Sequence, residues 1–204
     1  MAGTLPHAVF VETGIDDAGQ AVAWAGELPG CAAYGASPEA AVAGVPARVA
    51  AFVGWLRAHG DTIVEPVGNW YEVERVACRT DGGSSSRAAF SLDDLAPSAD
   101  ELTTWLGWAE LAREELASAL DAHPTDAHEI AWLADQDATL ATTLGGGAAE
   151  DHPSHVGPVD RLYASRDKLV AAIDHAGVAA EGLRRAIRLA IADDLRASEL
   201  LRGR

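Results

Sequence analysis

Basic residues are scarce in this 204-residue chain: 15 Lys and Arg stand against 31 Asp and Glu, a formal net charge of -16. Phosphate backbones are neutralised by clustered Lys and Arg, so direct binding of nucleic acid is not expected. The surplus acidity suits solubility or a basic protein partner. Only two cysteines occur. Cys31 follows a turn and Cys78 falls in an expected strand; two buried, apolar thiols account for them better than a disulfide or redox pair does. No apolar run approaches the ~18 residues of a membrane span. The segment Met1 to His7 lacks the basic and apolar regions of a secretory signal, which predicts a cytoplasmic protein. The glycine runs Gly82-Gly83 and Gly145-Gly146-Gly147 lack the Lys-Ser/Thr or strand-to-helix context of a phosphate loop. Ser84, Ser85 and Ser86 lack the Gly-x-Ser-x-Gly elbow of a nucleophilic serine. No cofactor is expected.

What is present is a core-forming composition, 49% hydrophobic and 23% charged, ordinary for a globular protein. The pattern changes at residues 91 to 99, where alternation stops, Pro97 appears and long helical periodicity begins. This divides the chain into an α+β domain, 1-93, and an all-α domain, 94-204. In the first, His7 to Thr13 and Ala21 to Ala25 read as a hairpin joined by a polar, Gly-containing connection, and Ala32 to Tyr34 adds a third strand. Ser37-Pro38-Glu39 starts a helix, with the Ser hydroxyl as cap and Pro38 at the first turn. Because Pro46 cannot donate a backbone hydrogen bond, a break is expected near Gly44, then a second helix carrying Val49, Phe52, Val53 and Leu56 and ending at Gly60. Asn69 to Arg79 alternates as a half-exposed strand, with Trp70 and Tyr71 facing opposite sides so that one of them meets another surface. Asp81 to Ser86 reads as a flexible loop.

Over residues 7 to 66 this order resembles the HicB-like family, the small α+β fold of certain antitoxins. The resemblance rests on the two-stranded start, on Glu27-Leu28-Pro29-Gly30-Cys31, and on Tyr34-Gly35-Ala36-Ser37-Pro38-Glu39-Ala40-Ala41. It implies binding of a toxin-like protein. The DNA-reading tail usual in such antitoxins has no counterpart here, since an acidic helical region follows.

That region opens on Ser98-Ala99-Asp100-Glu101, a capping box in which the Ser and Glu side chains each satisfy a backbone donor. Leu102, Trp105, Leu106, Ala109, Ala112, Leu116 and Leu120 then recur at helical spacing and form one apolar stripe. A second cap, Asp126 with Glu129, precedes Leu133, Ala134, Leu140, Ala141 and Leu144. Pro158 opens a third helix with Leu162, Tyr163, Leu169, Val170 and Ile173 inward. Ala179 to Arg202 make the fourth, with Leu183, Ile187, Ile191 and Leu195 facing the core. Four helices with one stripe each make an up-and-down bundle. Trp55, Trp105 and Trp108 lie within helices, where packing is the default role.

Leu133-Ala134-Asp135-Gln136-Asp137-Ala138-Thr139-Leu140, and the order of the two domains, make this half similar to the DinB-like four-helix bundles, including those fused to a HicB-like domain. The resemblance implies, for metal-binding members, a His on the second helix and a His-x-x-x-His pair on the fourth, which share a face and hold a divalent ion for thiol-dependent transfer. The matching positions here are Trp132, Ala192 and Arg196, a vestigial site with no usual metal ligand. No His or Cys occurs anywhere from Leu183 to Arg204, so no shift in register restores the ligands. The expectation is no bound metal, with Arg196 and nearby acids forming ion pairs.

Other histidines do not replace the missing ones. His128 begins the second helix while His152 and His155 follow its far end, ~20 Å or more away; His7, His59, His123 and His175 have no ligand spacing. Three functional readings remain open. The leading one is a noncatalytic binding or regulatory protein acting on a protein partner or as a homodimer. The second is a divergent thiol-dependent transferase or hydrolase with a pocket at Asp135, Asp137, Asp193 and Arg196, beside Trp132. The third is an antitoxin-like binder of a basic protein.

Overall fold

The computed structural model describes residues 6–16, 19–77, 79–81, 84–86, 88–122, 127–145, 157–178 and 180–203. Its fold class is mixed α+β, and the chain divides into two compact units, Met1–Leu92 and Asp93–Arg204.

The first unit is built on a four-stranded sheet. Strands β1 (His7–Thr13), β2 (Ala21–Ala25) and β3 (Ala32–Gly35) form an antiparallel meander, and β4 (Trp70–Ala77) returns parallel to β1 after helix α1 (Pro38–Ala58), giving the order β3-β2-β1-β4. Register places Val11, Ala23 and Ala33 side by side on one face and Phe10, Trp24 and Ala32 on the other. Helix α1 covers the first face with Val45, Val49, Phe52, Val53 and Leu56, all buried. Residues 88–90 run over the second, where Phe90 lies 5.4 Å from the Phe10 ring and the Ala88 N–H donates to buried Glu12 at 3.1 Å. Both faces are thus covered, which is why every residue of β2 is buried.

Helix α1 begins as expected, with Ser37 Oγ accepting from the Ala40 N–H at 3.2 Å. It does not break near Gly44. One helix runs through Pro46 to Ala58, because Pro46 sits on the solvent side. There water can serve the Val42 carbonyl, and the loss is confined to one bond. By length and composition alone α1 could cross a membrane, with a mean hydropathy of 1.3. Its exposed side owes that value to small residues, Ala40, Ala43, Ala47, Ala50 and Ala51, and its large apolar residues face the sheet.

Within the stretch expected as a polar loop, Asp81 and Ser84 to Ser86 belong to a small two-stranded sheet, in keeping with a hairpin rather than a nucleophile elbow for the three serines. Strands β5 (Arg79–Asp81) and β6 (Ser84–Ser86) pair antiparallel, Thr80 opposite Ser85, so polar side chains do not prevent a backbone ladder whose partners are close in sequence. Trp70 packs on the His7 ring at 4.7 Å, whereas Tyr71 is exposed. Cys31 is buried, and burial pushes its thiol up to about 12, Arg48 working against the rise. Cys78 lies outside the described residues.

The second unit holds a 3-10 turn (Ser91–Asp94, shared across the division) and helices α2 (Ala99–Ala122), α3 (Ala127–Thr143), α4 (Pro158–Ala176) and α5 (Leu183–Arg202). Helix α2 packs on α5, α3 on α4, and α3 on α5. The capping box forms: Glu101 accepts from the Ser98 N–H at 2.8 Å while Ser98 Oγ accepts from the Glu101 N–H at 3.2 Å. The cap at Asp126 and Glu129 falls on residues or side chains outside those described. Helix α5 starts at Leu183 and not at Ala179, because Gly182 adopts a left-handed conformation at φ +76° that a helix interior cannot contain. Arg184 fixes this start by donating to the Leu95 carbonyl at 2.8 Å and lying 4.5 Å over the Trp105 ring.

Candidate functional site

The apolar stripes of three helices are each interrupted by a charge. On α4 the buried series Leu162, Leu169, Ile173 includes Arg166; on α3 the series Leu133, Leu140 includes Asp137; on α5 the series Ile187, Ile191, Leu201 includes Asp194. Helical spacing therefore sends all three side chains inward. They meet there. Arg166 Nε donates to Asp137 Oδ2 at 2.8 Å, and Arg166 Nη2 donates to Asp194 Oδ1 at 2.7 Å. The three side chains are 4%, 3% and 1% exposed. Asp193 is buried beside them and adds its negative field at Arg166.

Arg166 bonds both Asp137 and Asp194, and Arg113 adds a second positive field to them. Burial pushes the Asp194 carboxyl up to about 7 against the pull of Arg166, and Asp137 and Asp193 add to the rise. Burial raises Asp137 as well, with Arg166 opposing it. Burial also works to lower the Arg166 pKa, but Asp194 and Asp137 outweigh it and the net shift is upward. A second buried pair, Arg188 Nη2 to Asp93 Oδ2 at 2.7 Å, ties α5 to the turn that opens the unit.

Among the described residues, Arg166 Nη1 and Asp194 Oδ2 have no hydrogen-bond partner. Arg166 borders two spaces. One is a void of about 10 Å³ shared with Arg113 and Asp194, the size of a single water. The other is a cavity of about 140 Å³ between α2, α4 and α5, walled by Leu106, Leu169, Ile173 and Ile187, with Arg113 and Arg166 as its inner charges. Arg113 is held by its own contacts, donating to the Tyr163 carbonyl at 2.9 Å and to Asp167 at 3.3 Å. Ala109, Val170, Ala190 and the exposed Glu110 and Asp174 complete the lining; Asp137 and Asp194 do not reach this space.

The residues singled out from sequence are only partly brought together. Asp137 and Asp193 are buried around Arg166. Asp135 turns to solvent, 70% exposed, and lies 3.6 Å from Arg161, because it follows Ala134 around the helix away from the stripe. The guanidinium bonded to Asp137 and Asp194 belongs to Arg166 on α4, a residue not singled out from sequence, while Arg196 is half-buried on α5. Trp132 packs against the apolar cluster of Leu116, Leu120, Leu133, Leu162 and Leu201, and Ala192 is buried. None of these three supplies a metal-binding atom. Among the described residues no three His, Cys, Asp or Glu side chains are grouped to hold a metal ion. His7 donates to Glu27 at 2.8 Å and His59 to the Trp55 carbonyl at 2.9 Å. The His128 side chain, His123, His152 and His155 lie outside the described residues.

No protein-family model, curated protein or solved structure matches this chain.

Proposed function

We propose that this chain is a noncatalytic binding or regulatory protein, a HicB-like domain followed by a metal-free DinB-like bundle, acting in the cytoplasm on a protein partner or as a homodimer. The Asp137–Arg166–Asp194 network carries the reading. Metal-binding members of the DinB-like family give the bundle interior to imidazoles around a divalent ion; here a permanent cation is held by two carboxylates in a helical interior. An added cation would have to displace Arg166 or share its acids, at the full desolvation cost of a buried guanidinium. The 140 Å³ cavity agrees with binding, since its inner charges are Arg113 and Arg166, neither of which serves as a base or nucleophile at neutral pH. The meander, helix and returning parallel strand support the HicB-like half.

Metal content and thiol transfer test this together. Untagged protein, purified without chelator and incubated with zinc, nickel or manganese, is expected to retain well under one ion per chain and to show no thiol-dependent transfer. One tightly held ion per chain, or transfer activity abolished by a substitution in the bundle interior, would overturn the proposal.

A further inference from the structure

The cavity between α2, α4 and α5 combines four observations. Its volume is about 140 Å³, close to the roughly 150 Å³ of an engineered apolar cavity that accepts benzene. Its walls are apolar, from Leu106, Leu169, Ile173 and Ile187. One of its residues, Arg166, has a side chain 4% exposed with Nη1 lacking a hydrogen-bond partner among the described residues. Finally, Arg166 already contacts two carboxylates, Asp137 and Asp194. A buried donor without a partner carries a desolvation cost that a ligand acceptor removes.

Charge selects the ligand. An anion would find Arg166 already paired with Asp137 and Asp194 and Arg113 with Asp167, and would pass the exposed carboxylates of Glu110 and Asp174 on entering. A cation would meet Arg113 and Arg166 inside. A neutral oxygen acceptor avoids both penalties. We propose that the cavity is a binding site for a small, uncharged, largely apolar molecule of about benzene size bearing one carbonyl oxygen, which accepts from Arg166 Nη1 while its hydrocarbon part lies against Leu169, Ile173 and Ile187. This deepens the reading above and rests on the intact Arg166 network, but not on the HicB-like or DinB-like resemblance.

Titration of the full-length protein with cyclohexanone, benzene and benzoate, followed by calorimetry or by ligand-observed NMR, tests it. Cyclohexanone is expected to bind at one equivalent per chain, about tenfold tighter than benzene, the ratio that about 1.4 kcal/mol gives, and tighter than benzoate. Ala109→Leu and Val170→Phe narrow the cavity at half-buried positions, outside the ion pairs, and either one, if folded, should weaken cyclohexanone at least fivefold. Equal affinity for benzene and cyclohexanone would mean an apolar cavity without the Arg166 bond, and tighter benzoate would mean an anion site; each overturns the proposal. So would absent binding, or binding unchanged in both variants. Failure here with no metal bound leaves the noncatalytic reading standing, whereas a bound ion removes that reading whatever the ketone does.

Discussion

Arg166 is the residue on which the second unit turns, and it shows how a single charge can be hidden in a sequence. The inward series on α4 is traced readily through Leu162, Leu169 and Ile173, and the gap between the first two is where Arg166 stands. Asp137 and Asp194 fill corresponding gaps on α3 and α5. Each alone reads as a solvated charge near an apolar stripe; the signal is that three such interruptions, two acidic and one basic, fall on core faces of one unit. Attention to the fourth helix leads to Arg196 because nothing in one sequence says which helix supplies the guanidinium, and that depends on which helices pack together. The energetic consequence is checkable. Arg166→Met leaves two carboxylates in the interior and is expected to destabilise the second unit by about 3–5 kcal/mol. Replacing the whole network, Asp137→Leu with Arg166→Met and Asp194→Leu, removes the desolvation cost together with the attraction and should lie closer to the parent protein. Urea unfolding of both variants decides it: a triple variant as unstable as the single one would show that the network is itself a net source of stability.

At the scale of elements, starts and stops were largely legible because caps are local chemistry. Ser37-Pro38 and the Ser98–Glu101 box act where the sequence places them. Interior events were less so. Pro46 argues for a break, yet whether a proline breaks a helix depends on which side it faces, a property of how α1 lies on the sheet. The junction of β3 and α1 depends on a close approach with no sequence signature beyond a glycine: a Cβ on Gly35 would stand 2.4 Å from the Ala41 nitrogen and 2.8 Å from the Ala40 carbonyl carbon. Since these are backbone atoms, no rotamer change relieves the clash, and Gly35→Ala is expected to cost about 1–3 kcal/mol. Gly54 lies on the exposed side of the same helix with nothing within 4 Å. There Gly54→Ala should stabilise by up to about 1 kcal/mol through helix propensity. Thermal unfolding of the two variants should move in opposite directions; shifts of the same sign would mean that the strand can slide away from the helix.

For the whole molecule, the change of pattern near residues 91 to 99 coincides with the division between Leu92 and Asp93, since periodicity reports which kind of core a segment joins. The pH response belongs to this scale as well. Asp194 is raised from 3.8 to about 7, and Asp137 is raised too, so between these values the folded chain binds more protons than the unfolded one. The Asp194 contribution is then fully present below about pH 4 and is lost as pH rises through about 7, at up to about 1.4 kcal/mol per pH unit for one proton, and Asp137 acts in the same direction. Glu101 shifts the opposite way, held down mainly by the Ser98 backbone bond, but it is exposed and solvent screens its share. Repulsion within a chain of net charge -16 also grows with pH, so a falling trend alone would not isolate the network. The triple variant provides the control, because it keeps nearly all of the surface charge and lacks both buried carboxyls. Amide exchange of α5, corrected for the intrinsic pH dependence of exchange, should show protection decreasing from pH 5 to pH 8 in the parent protein and a clearly shallower decrease in the variant. Parallel slopes would mean that Asp194 is ionised throughout, and that Arg166 alone offsets the cost of burying both acids.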